Sequence, residues 1–305
     1  MTAAGPTPAG GRSRRRGPSH ANSGYLFVLP FLLVFLAMLV LPLLYAAYLS
    51  LFREQLVGGT VFAGFDNYTR ALGDERLVKG VLRVARFFLL QVPIMLALSL
   101  AAALAIDSGL LRFAKVFRLG IFVPYAVPAV VATLMWGYLY GPDFGLFAQI
   151  AGKLGLDRPQ FLSADHMLGS MANIVTWEFV GYNMIILYAA LRAIPHDLYE
   201  AAAVDGAGSW RTAWSIKLPA LRPALLLCLI FSVIGSFQLF AEPQLLQRLA
   251  PNVIDSAYTP NLYAYSLAFT GQEVNYAAAV SFLLGLVIVV ASYTVLLVTN
   301  RRSRA

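Results

Sequence analysis

The chain has 305 residues, of which 59% are hydrophobic and 12% are charged. Soluble domains contain about 45–50% apolar and about 25% charged residues, so this composition excludes an ordinary soluble protein and favours one that lies in lipid. The net charge of +8 does not indicate nucleic-acid binding, because the basic residues form no patch interleaved with aromatic ones. The one cysteine, Cys228, excludes an intrachain disulfide and a metal site of several cysteines.

The start of the chain differs in composition from the apolar part that follows it. Residues 1–23 are rich in Gly, Pro, Ser and Arg, which predicts a disordered cytosolic tail. A basic stretch before an apolar one is typical of a signal peptide, but the apolar run at 25–52 is longer than the core of about 7–15 residues in a cleaved signal. We therefore expect this run to remain in the membrane as the first span.

Long apolar runs recur throughout residues 24–300, which we predict to be the membrane domain. A bilayer core of about 30 Å requires about 20 apolar residues in a helix, and backbone amides in lipid must be paired, so each run is expected to be helical. The sequence predicts an all-α membrane protein with about six transmembrane helices. The predicted spans are 25–52, 81–106, 117–140, 167–191, 221–243 and 275–299.

Lysine and arginine residues are distributed unequally between the two sides of this membrane domain. If the N-terminus is inside, most of the 23 basic residues lie in the tails, the inner loops and the inner ends of the spans. Because positive residues concentrate on the cytosolic side, the sequence predicts that both termini are inside. Residues 301–305 then form a second cytosolic tail.

The sequence contains no motif for nucleotide hydrolysis or hydrolytic catalysis. The phosphate-binding loop G-x-x-x-x-G-K-[ST] is missing, as are H-E-x-x-H and G-x-S-x-G, and the three histidines are far apart. Glu178 and Glu242 are the acidic residues that we find within the predicted spans. We therefore expect the chain not to be an enzyme, and to hold no metal or cofactor itself.

A loop at 193–220 separates the fourth and fifth spans and lies on the predicted inner side. Ala201–Ala203 favours a short helix with a small, smooth face, and Gly206 favours a turn at its end. A second short helix at 210–217 is expected to end before the fifth span, because Pro219 stops it. Small residues on one face allow the surface of a partner to approach closely.

The anchors of this loop resemble the EAA loop of ABC importer permeases. The pattern of that family is E-A-A-x-x-x-G, nine residues, and then I-x-L-P, and every anchor is present here at that spacing. The likeness extends over nearly the whole chain to the carbohydrate-uptake permeases of the maltose and sn-glycerol-3-phosphate type, as in the I-P-x-x-L-Y-E-A-A form at 194–202. The loop residues that the resemblance assigns to coupling are Glu200, Ala201, Ala202, Asp205, Gly206, Ile216, Leu218 and Pro219.

The resemblance implies a type I ABC importer permease fold and a function in sugar uptake. The chain would be the membrane-spanning subunit that translocates a sugar, expected to be an oligosaccharide or related polyol. Its implied partners are a second homologous permease, a cytosolic ATPase dimer that binds ATP and Mg²⁺, and an extracytoplasmic solute-binding protein. The implied location is the bacterial inner or plasma membrane, crossed several times. The outer G-G-P segment of the family is replaced by Leu249-Ala250-Pro251, so the sequence does not name the sugar.

Two other classes of function remain open on the residues alone. A secondary carrier or channel would usually have charged or broken-helix ion sites at mid-membrane, and these are sparse here. A membrane scaffold for an enzyme complex would also have spans and a loop. Loss of transport on replacing Glu200 or Gly206 would distinguish the importer from both.

The fourth and fifth spans carry aromatic, amide and hydroxyl side chains, which are the groups that recognise a sugar. Ser232 and Ser236 are four residues apart and therefore share a helix face. Such residues also bridge helices or lie at the membrane interface, but for the set as a whole we favour a substrate pathway. The predicted pathway residues are Trp177, Tyr182, Asn183, Ser232, Ser236 and Gln238.

Glu178 lies near the middle of the fourth predicted span. A lone carboxylate there costs about 2.5–3.5 kcal/mol on insertion scales, so we expect it to be paired, neutral or in contact with water. Arg86, on the outer part of the second span, and Gln91 are equal candidates for its partner.

Overall fold

The computed structural model of the protein describes residues 21–55, 58–109 and 111–302, together with Gly5. It divides into two compact units, Met1–Tyr48 and Leu49–Ala305. Most of the tail predicted at 1–23 lies outside the described residues, although the first helix already begins at Ala21. The last helix continues to Arg302, and the remainder of the tail predicted at 301–305 lies outside the described part.

Helices make up most of the described chain, and they are numbered here in chain order. The helices before the connection at 154–166 are α1 (Ala21–Phe35), α2 (Leu41–Ser50), α3 (Asp66–Leu72), α4 (Glu75–Asp107), α5 (Ala114–Phe122), α6 (Ala129–Leu139) and α7 (Leu146–Lys153). The helices after it are α8 (Met167–Arg192), α9 (His196–Val204), α10 (Ser209–Thr212), α11 (Leu218–Phe237), α12 (Ala241–Leu246), α13 (Pro260–Tyr265) and α14 (Val274–Arg302). Helical turns of other types join some of them, with π geometry at Leu36–Val40, Ala213–Lys217 and Ser266–Thr270 and 3-10 geometry at Val123–Ala126.

Among the described residues, 5 helices are long and apolar enough to cross a membrane, or up to 6 if one bent pair counts as a single span. The prediction of an all-α membrane protein with about six transmembrane helices is therefore confirmed. The bent pair is Ala114–Ala126 with Ala129–Leu139, and the 5 single helices are Tyr25–Ser50, Glu75–Asp107, Met167–Arg192, Ser209–Leu246 and Val274–Thr299.

The third predicted span is two helices rather than one. The chain bends by 97° between Ala114–Ala126 and Ala129–Leu139. Val127 has extended geometry, with ψ of 128°, because the ring of Pro128 disfavours helical geometry in the residue before it. Pro128 also lacks an N–H to continue the helical hydrogen bonds, so the continuous helix expected at 117–140 does not form.

The expectation that Pro219 ends a helix is wrong. α10 continues through the π turn Ala213–Lys217 directly into α11. Pro219 lies in the first turn of α11, directly after the π turn, which interrupts the regular helical hydrogen bonds just where proline has no N–H to donate. The π turn just before it is closed by the N–H of Leu218, which donates to the carbonyl of Ala213. At its far end α11 stops at Phe237, short of residue 243 where the fifth span was expected to end.

A short hairpin that the sequence did not predict follows α2. Its strands β1 (Phe52–Gln55) and β2 (Gly59–Phe62) pair antiparallel, with Phe52 opposite Phe62. The buried side-chain amide of Asn67 in α3 donates to the carbonyls of Ser50 at 2.9 Å and Phe52 at 2.7 Å. These bonds hold the base of the hairpin against α3.

The core of the second unit lies where α4 packs along α8. The hydroxyl of Ser99 in α4, fully buried, is shared between the carbonyl of Met95 in α4 at 2.7 Å and that of Val180 in α8 at 2.9 Å. On another side of α8, Gly181 lets α5 approach the helix backbone, because a Cβ at this position would lie 2.1 Å from the carbonyl oxygen of Ile121. α8 is therefore held directly by both α4 and α5.

Asp74 begins α4 and connects it to α13 and α14. Its Oδ1 accepts the backbone N–H of Arg76 at 2.9 Å as an N-cap, and its Oδ2 accepts the hydroxyls of Tyr263 at 2.6 Å and Tyr276 at 2.8 Å. Burial acts to raise the pKa of the Asp74 carboxyl, but these hydrogen bonds outweigh it and hold the pKa below its ordinary value. Burial and the bond to Asp74 raise the pKa of Tyr263 to about 12.

Candidate functional site

A cavity of about 420 Å³ lies between α4, α8, α11 and the chain segment that follows α11. α4 contributes Gln91 and Met95, and the segment after α11 contributes Glu242 in α12. Five of the six predicted pathway residues line this one cavity. They are Tyr182, Asn183, Ser232, Ser236 and Gln238.

The polar side chains of this cavity are held by their own helices. The Asn183 amide donates to the carbonyl of Phe179 at 3.1 Å, and the Ser232 hydroxyl donates to the carbonyl of Cys228 at 2.8 Å. The amide of Asn183 keeps its carbonyl oxygen as an acceptor, and the Ser232 oxygen keeps its lone pairs. Aromatic rings complete the wall, since Phe179, Phe231 and Phe240 also line it.

Tyr182 is the aromatic residue of the predicted set that reaches the cavity. Its ring stacks on Tyr125 with a centroid distance of 4.8 Å. Tyr125 belongs to the turn between α5 and α6, so the break in the third span supplies the ring that supports Tyr182.

The structure does not bring Trp177 to this cavity. Trp177 precedes Tyr182 by five positions, which is about 140° around a helix with 3.6 residues per turn. Its ring makes an edge contact with Trp136 of α6, with the centroids 5.9 Å apart. The sequence placed Trp177 correctly on the fourth span but did not show which helix would cover that face.

The two partners expected for Glu178 are both incorrect. The Arg86 side chain is exposed, and the ion pairs between described residues do not include one with Glu178. Gln91 donates instead to the sulfur of Met95 at 3.1 Å and to the Thr176 hydroxyl at 3.5 Å. Glu178 is 3% exposed, and its Oε2 has no hydrogen-bond partner among the described residues.

The second acidic residue within the predicted spans, Glu242, is buried like Glu178. Glu242 is itself 7% exposed and lines the cavity. These are the two acidic residues within the predicted spans, and both are buried in the folded chain.

The predicted coupling loop contains the expected first helix. α9 (His196–Val204) follows Pro195, and the exposed Glu200 carboxylate lies 3.0 Å from His196 Nδ1 and accepts from it when that nitrogen carries the proton. The helix ends at Val204 with Asp205 as its C-cap, and Gly206 adopts a left-handed conformation with φ of +71°, which glycine tolerates best. Ala201, Asp205 and Gly206 are exposed, whereas Ala202 is buried.

The second half of the loop presents two tryptophans that the sequence reasoning did not single out. Trp210 is 76% exposed and Trp214 is 55% exposed, and their rings make an edge contact at 5.9 Å. Exposed tryptophan rings near the end of a span lie against a partner or at the membrane interface. Ile216 and Leu218 are half-buried beside them, and Pro219 is exposed.

A buried ion pair connects this loop to the end of α4. Lys217 Nζ lies 2.5 Å from Asp107 Oδ2, and the two side chains are only 15% and 9% exposed. The same ammonium lies 5.5 Å from the ring centroid of Tyr199 in α9. Burial, followed by the nearby Asp107 carboxylate, raises the pKa of the Tyr199 phenol.

These features define a membrane protein that crosses the bilayer several times, with a cavity among its helices and a helical loop between α8 and α11. The chain matches the family described as binding-protein-dependent transport system inner membrane component over residues 94–303. It therefore belongs to that family, and it is a transport component rather than an enzyme.

Two relatives resemble the chain over most of their length. The arabinooligosaccharides transport system permease protein AraP of Bacillus subtilis (strain 168) is 30% identical over 88% of this chain and 85% of AraP. The diacetylchitobiose uptake system permease protein NgcF of Streptomyces coelicolor is 31% identical over 97% of this chain and 88% of NgcF. The resemblance to carbohydrate-uptake permeases is thus confirmed.

Solved structures show the same fold. A chain of a bacterial ABC transporter that imports the acidic polysaccharide alginate superposes with a TM-score of 0.81 and 21% identity, covering 92% of this chain and 96% of that one. A chain of a bacterial alginate transporter in complex with an alginate pentasaccharide-bound periplasmic protein gives a TM-score of 0.78 and 22% identity, covering 93% and 95%. The expected ABC importer permease fold is therefore confirmed.

Proposed function

We propose that this chain is the permease subunit through which an ATP-driven importer passes an oligosaccharide or related polyol across the bacterial inner membrane. The observation that carries the proposal is the convergence of Tyr182, Asn183, Ser232 and Gln238 on one cavity. A ring for the apolar face of a sugar stands beside amides and hydroxyls for its hydroxyl groups. AraP is named for the transport of arabinooligosaccharides and NgcF for the uptake of diacetylchitobiose, which supports the same class of substrate.

The remaining parts of the importer would be other chains. A second homologous permease would complete the pathway, and an extracytoplasmic solute-binding protein would deliver the sugar, as the family description implies. A pair of cytosolic ATPases would bind ATP and Mg²⁺. Their expected contact on this chain is the loop with Glu200 and Gly206, and the exposed Trp210 and Trp214 extend that surface.

Transport would follow from two arrangements of the same helices. ATP binding closes the ATPases, the loop moves with them, and the spans alternate between access from outside and access from inside. Such a change requires an element with two stable arrangements that each ligand favours differently. The break between α5 and α6, and the π turn before α11, are the irregular segments where this packing can change.

Uptake measurements test this proposal. Cells that lack the gene are complemented with wild type or variants and given radiolabelled arabinotriose, diacetylchitobiose and maltotriose. Tyr182→Ala should reduce uptake by removing the cavity ring, and Glu200→Ala should reduce it by weakening the contact with the ATPase. Tyr293→Ala is the matched control, because Tyr293 is an exposed ring on α14 outside the cavity.

Each outcome has a stated consequence, provided that the variants reach the membrane at the wild-type level. Reduced uptake of one sugar in Tyr182→Ala and Glu200→Ala, but not in Tyr293→Ala, supports the importer. The proposal is contradicted if cells that lack the chain take up every sugar as fast as complemented cells do. It is also contradicted if neither Tyr182→Ala nor Glu200→Ala reduces uptake. Uptake that persists without ATP but follows an ion gradient would identify a secondary carrier.

A further inference from the structure

We infer that the ion pair between Lys217 and Asp107, called the strut below, transmits movement of the coupling loop to α4 and through α4 to the cavity. Both are positioning residues, since neither lines the cavity. This inference rests on the proposed function, because it assumes that the loop moves with the ATPase. It adds the route by which that movement reaches the substrate.

The first step of the route is the contact itself. Asp107 is the last residue of α4 and Lys217 the last residue of the π turn, and their charged atoms are 2.5 Å apart although 110 positions separate them in the chain. With side chains 15% and 9% exposed, neither charge has much water to replace its partner. Separating them leaves buried charges uncompensated, which is strongly unfavourable, so the two helix ends are expected to move together.

The second step joins the ion pair to the coupling helix. The Lys217 ammonium faces the ring of Tyr199 at 5.5 Å, within the range of a cation–π interaction. Tyr199 immediately precedes Glu200 in α9, and its hydroxyl is buried without a hydrogen-bond partner among the described residues. Movement of α9 therefore acts on Lys217 directly, and not only through the peptide chain that connects α9 to α10.

The third step leads along α4 to the cavity. Met95 lines the cavity from α4 and precedes Asp107 by 12 positions, which is about 18 Å along a helix. Over this length α4 is one helix, and Ser99 binds it to α8 through Val180. A displacement at Asp107 therefore reaches Met95 and, through α8, the ring of Tyr182.

The π turn explains why the strut lies where it does. Residues 213–217 form a wide turn between α10 and α11, and π turns interrupt the regular helix and are frequent at functional sites. Without the ion pair, the π turn could deform when α10 moves, and the spans would then not move with it. The ion pair of Lys217, the last residue of the turn, transmits the movement to α4 instead.

The test is the ratio of ATP hydrolysed to sugar transported by the complete importer in liposomes. The assembly contains this chain, its partner permease, the ATPases and the binding protein, and uses the oligosaccharide that wild type takes up best in the uptake panel. Lys217→Met and Asp107→Asn should raise the ratio by about tenfold, within the range typical of coupling between two sites. Lys217→Arg, which keeps the charge, should stay close to wild type.

A charge exchange and a surface pair make the test specific. The double variant Asp107→Lys, Lys217→Asp should restore most of the wild-type ratio, because it forms the same ion pair with the charges exchanged. Lys79→Met is the control, because Lys79 pairs with Glu75 at 2.8 Å but is 69% exposed.

The results separate this inference from the proposed function. If wild type shows no sugar-stimulated ATP hydrolysis, the proposed function fails. If wild type is coupled and the single variants at Lys217 and Asp107 keep its ratio, the strut is refuted and the importer stands. A double variant that assembles normally but remains as uncoupled as the single ones also refutes the strut.

Discussion

Replacing Asp74 with alanine should destabilise the packing of α4 against α13 and α14. Each hydrogen bond to a charged acceptor contributes about 1.5–3 kcal/mol, and an N-cap contributes about 0.5–2 kcal/mol. Asp74 accepts two tyrosine hydroxyls, at 2.6 Å and 2.8 Å, and one backbone N–H. Since the carboxyl is partly exposed, solvent screening lowers these values, and we expect a loss of about 3 kcal/mol.

Thermal unfolding of the purified protein in detergent, followed by tryptophan fluorescence, measures this loss. Tyr263→Phe and Tyr276→Phe each remove one of the bonds and should cost less than Asp74→Ala. Asp143→Ala is the control, because Asp143 pairs with Arg158 at 3.3 Å while 83% exposed, and such surface pairs contribute about 0–1 kcal/mol. An Asp74→Ala variant that unfolds at the same temperature as Asp143→Ala would refute the reasoning.

The remaining predictions concern acid and the packing around α8. The folded pKa of Asp74 lies below its ordinary value of 3.8, so the stability that its carboxylate contributes is complete above pH 3.8 and is lost as the pH falls through the folded pKa. Asp74→Asn should therefore make the unfolding temperature fall less steeply as acid is added. An unchanged dependence of the unfolding temperature on pH contradicts this. Gly181→Ala should lower the free energy of unfolding by about 1–3 kcal/mol or more, because the new Cβ would lie 2.1 Å from the backbone of Ile121. Gly169→Ala on the same helix is the control, because a Cβ there meets open space. Equal unfolding temperatures for the two variants would disprove the close approach. Ser99→Ala should cost about 1 kcal/mol in the same assay, and an unchanged unfolding temperature would show that its bond to α8 contributes nothing.

The sequence predicted the spans well where apolar length alone decides the structure. The helix Met167–Arg192 covers the range expected at 167–191, because a long apolar run without proline has no other stable form in lipid. Proline was harder to interpret, since its effect depends on position. Pro128 broke a helix that was expected to continue, while Pro219 in the first turn of α11 did not stop one that was expected to end.

The candidate site was predictable in its residue types but not in its neighbours. Ser232 and Ser236 reached one cavity because their spacing determines a shared helix face. Trp177 lies on another face, and neither Arg86 nor Gln91 pairs with Glu178, since contacts between helices depend on packing angles that one span does not encode. The pair of Lys217 with Asp107 was missed for the same reason.

The most direct test of the account is the composition of the complex that this chain forms in its native membrane. The tagged chain is purified in mild detergent and its partners are identified by mass spectrometry. The account predicts an ATPase, a second permease with a similar set of spans and a solute-binding protein, with the ATPase lost from a variant in which Glu200, Trp210 and Trp214 are replaced by alanine. Recovery of a stable homo-oligomer of this chain, with no ATPase, would contradict the account.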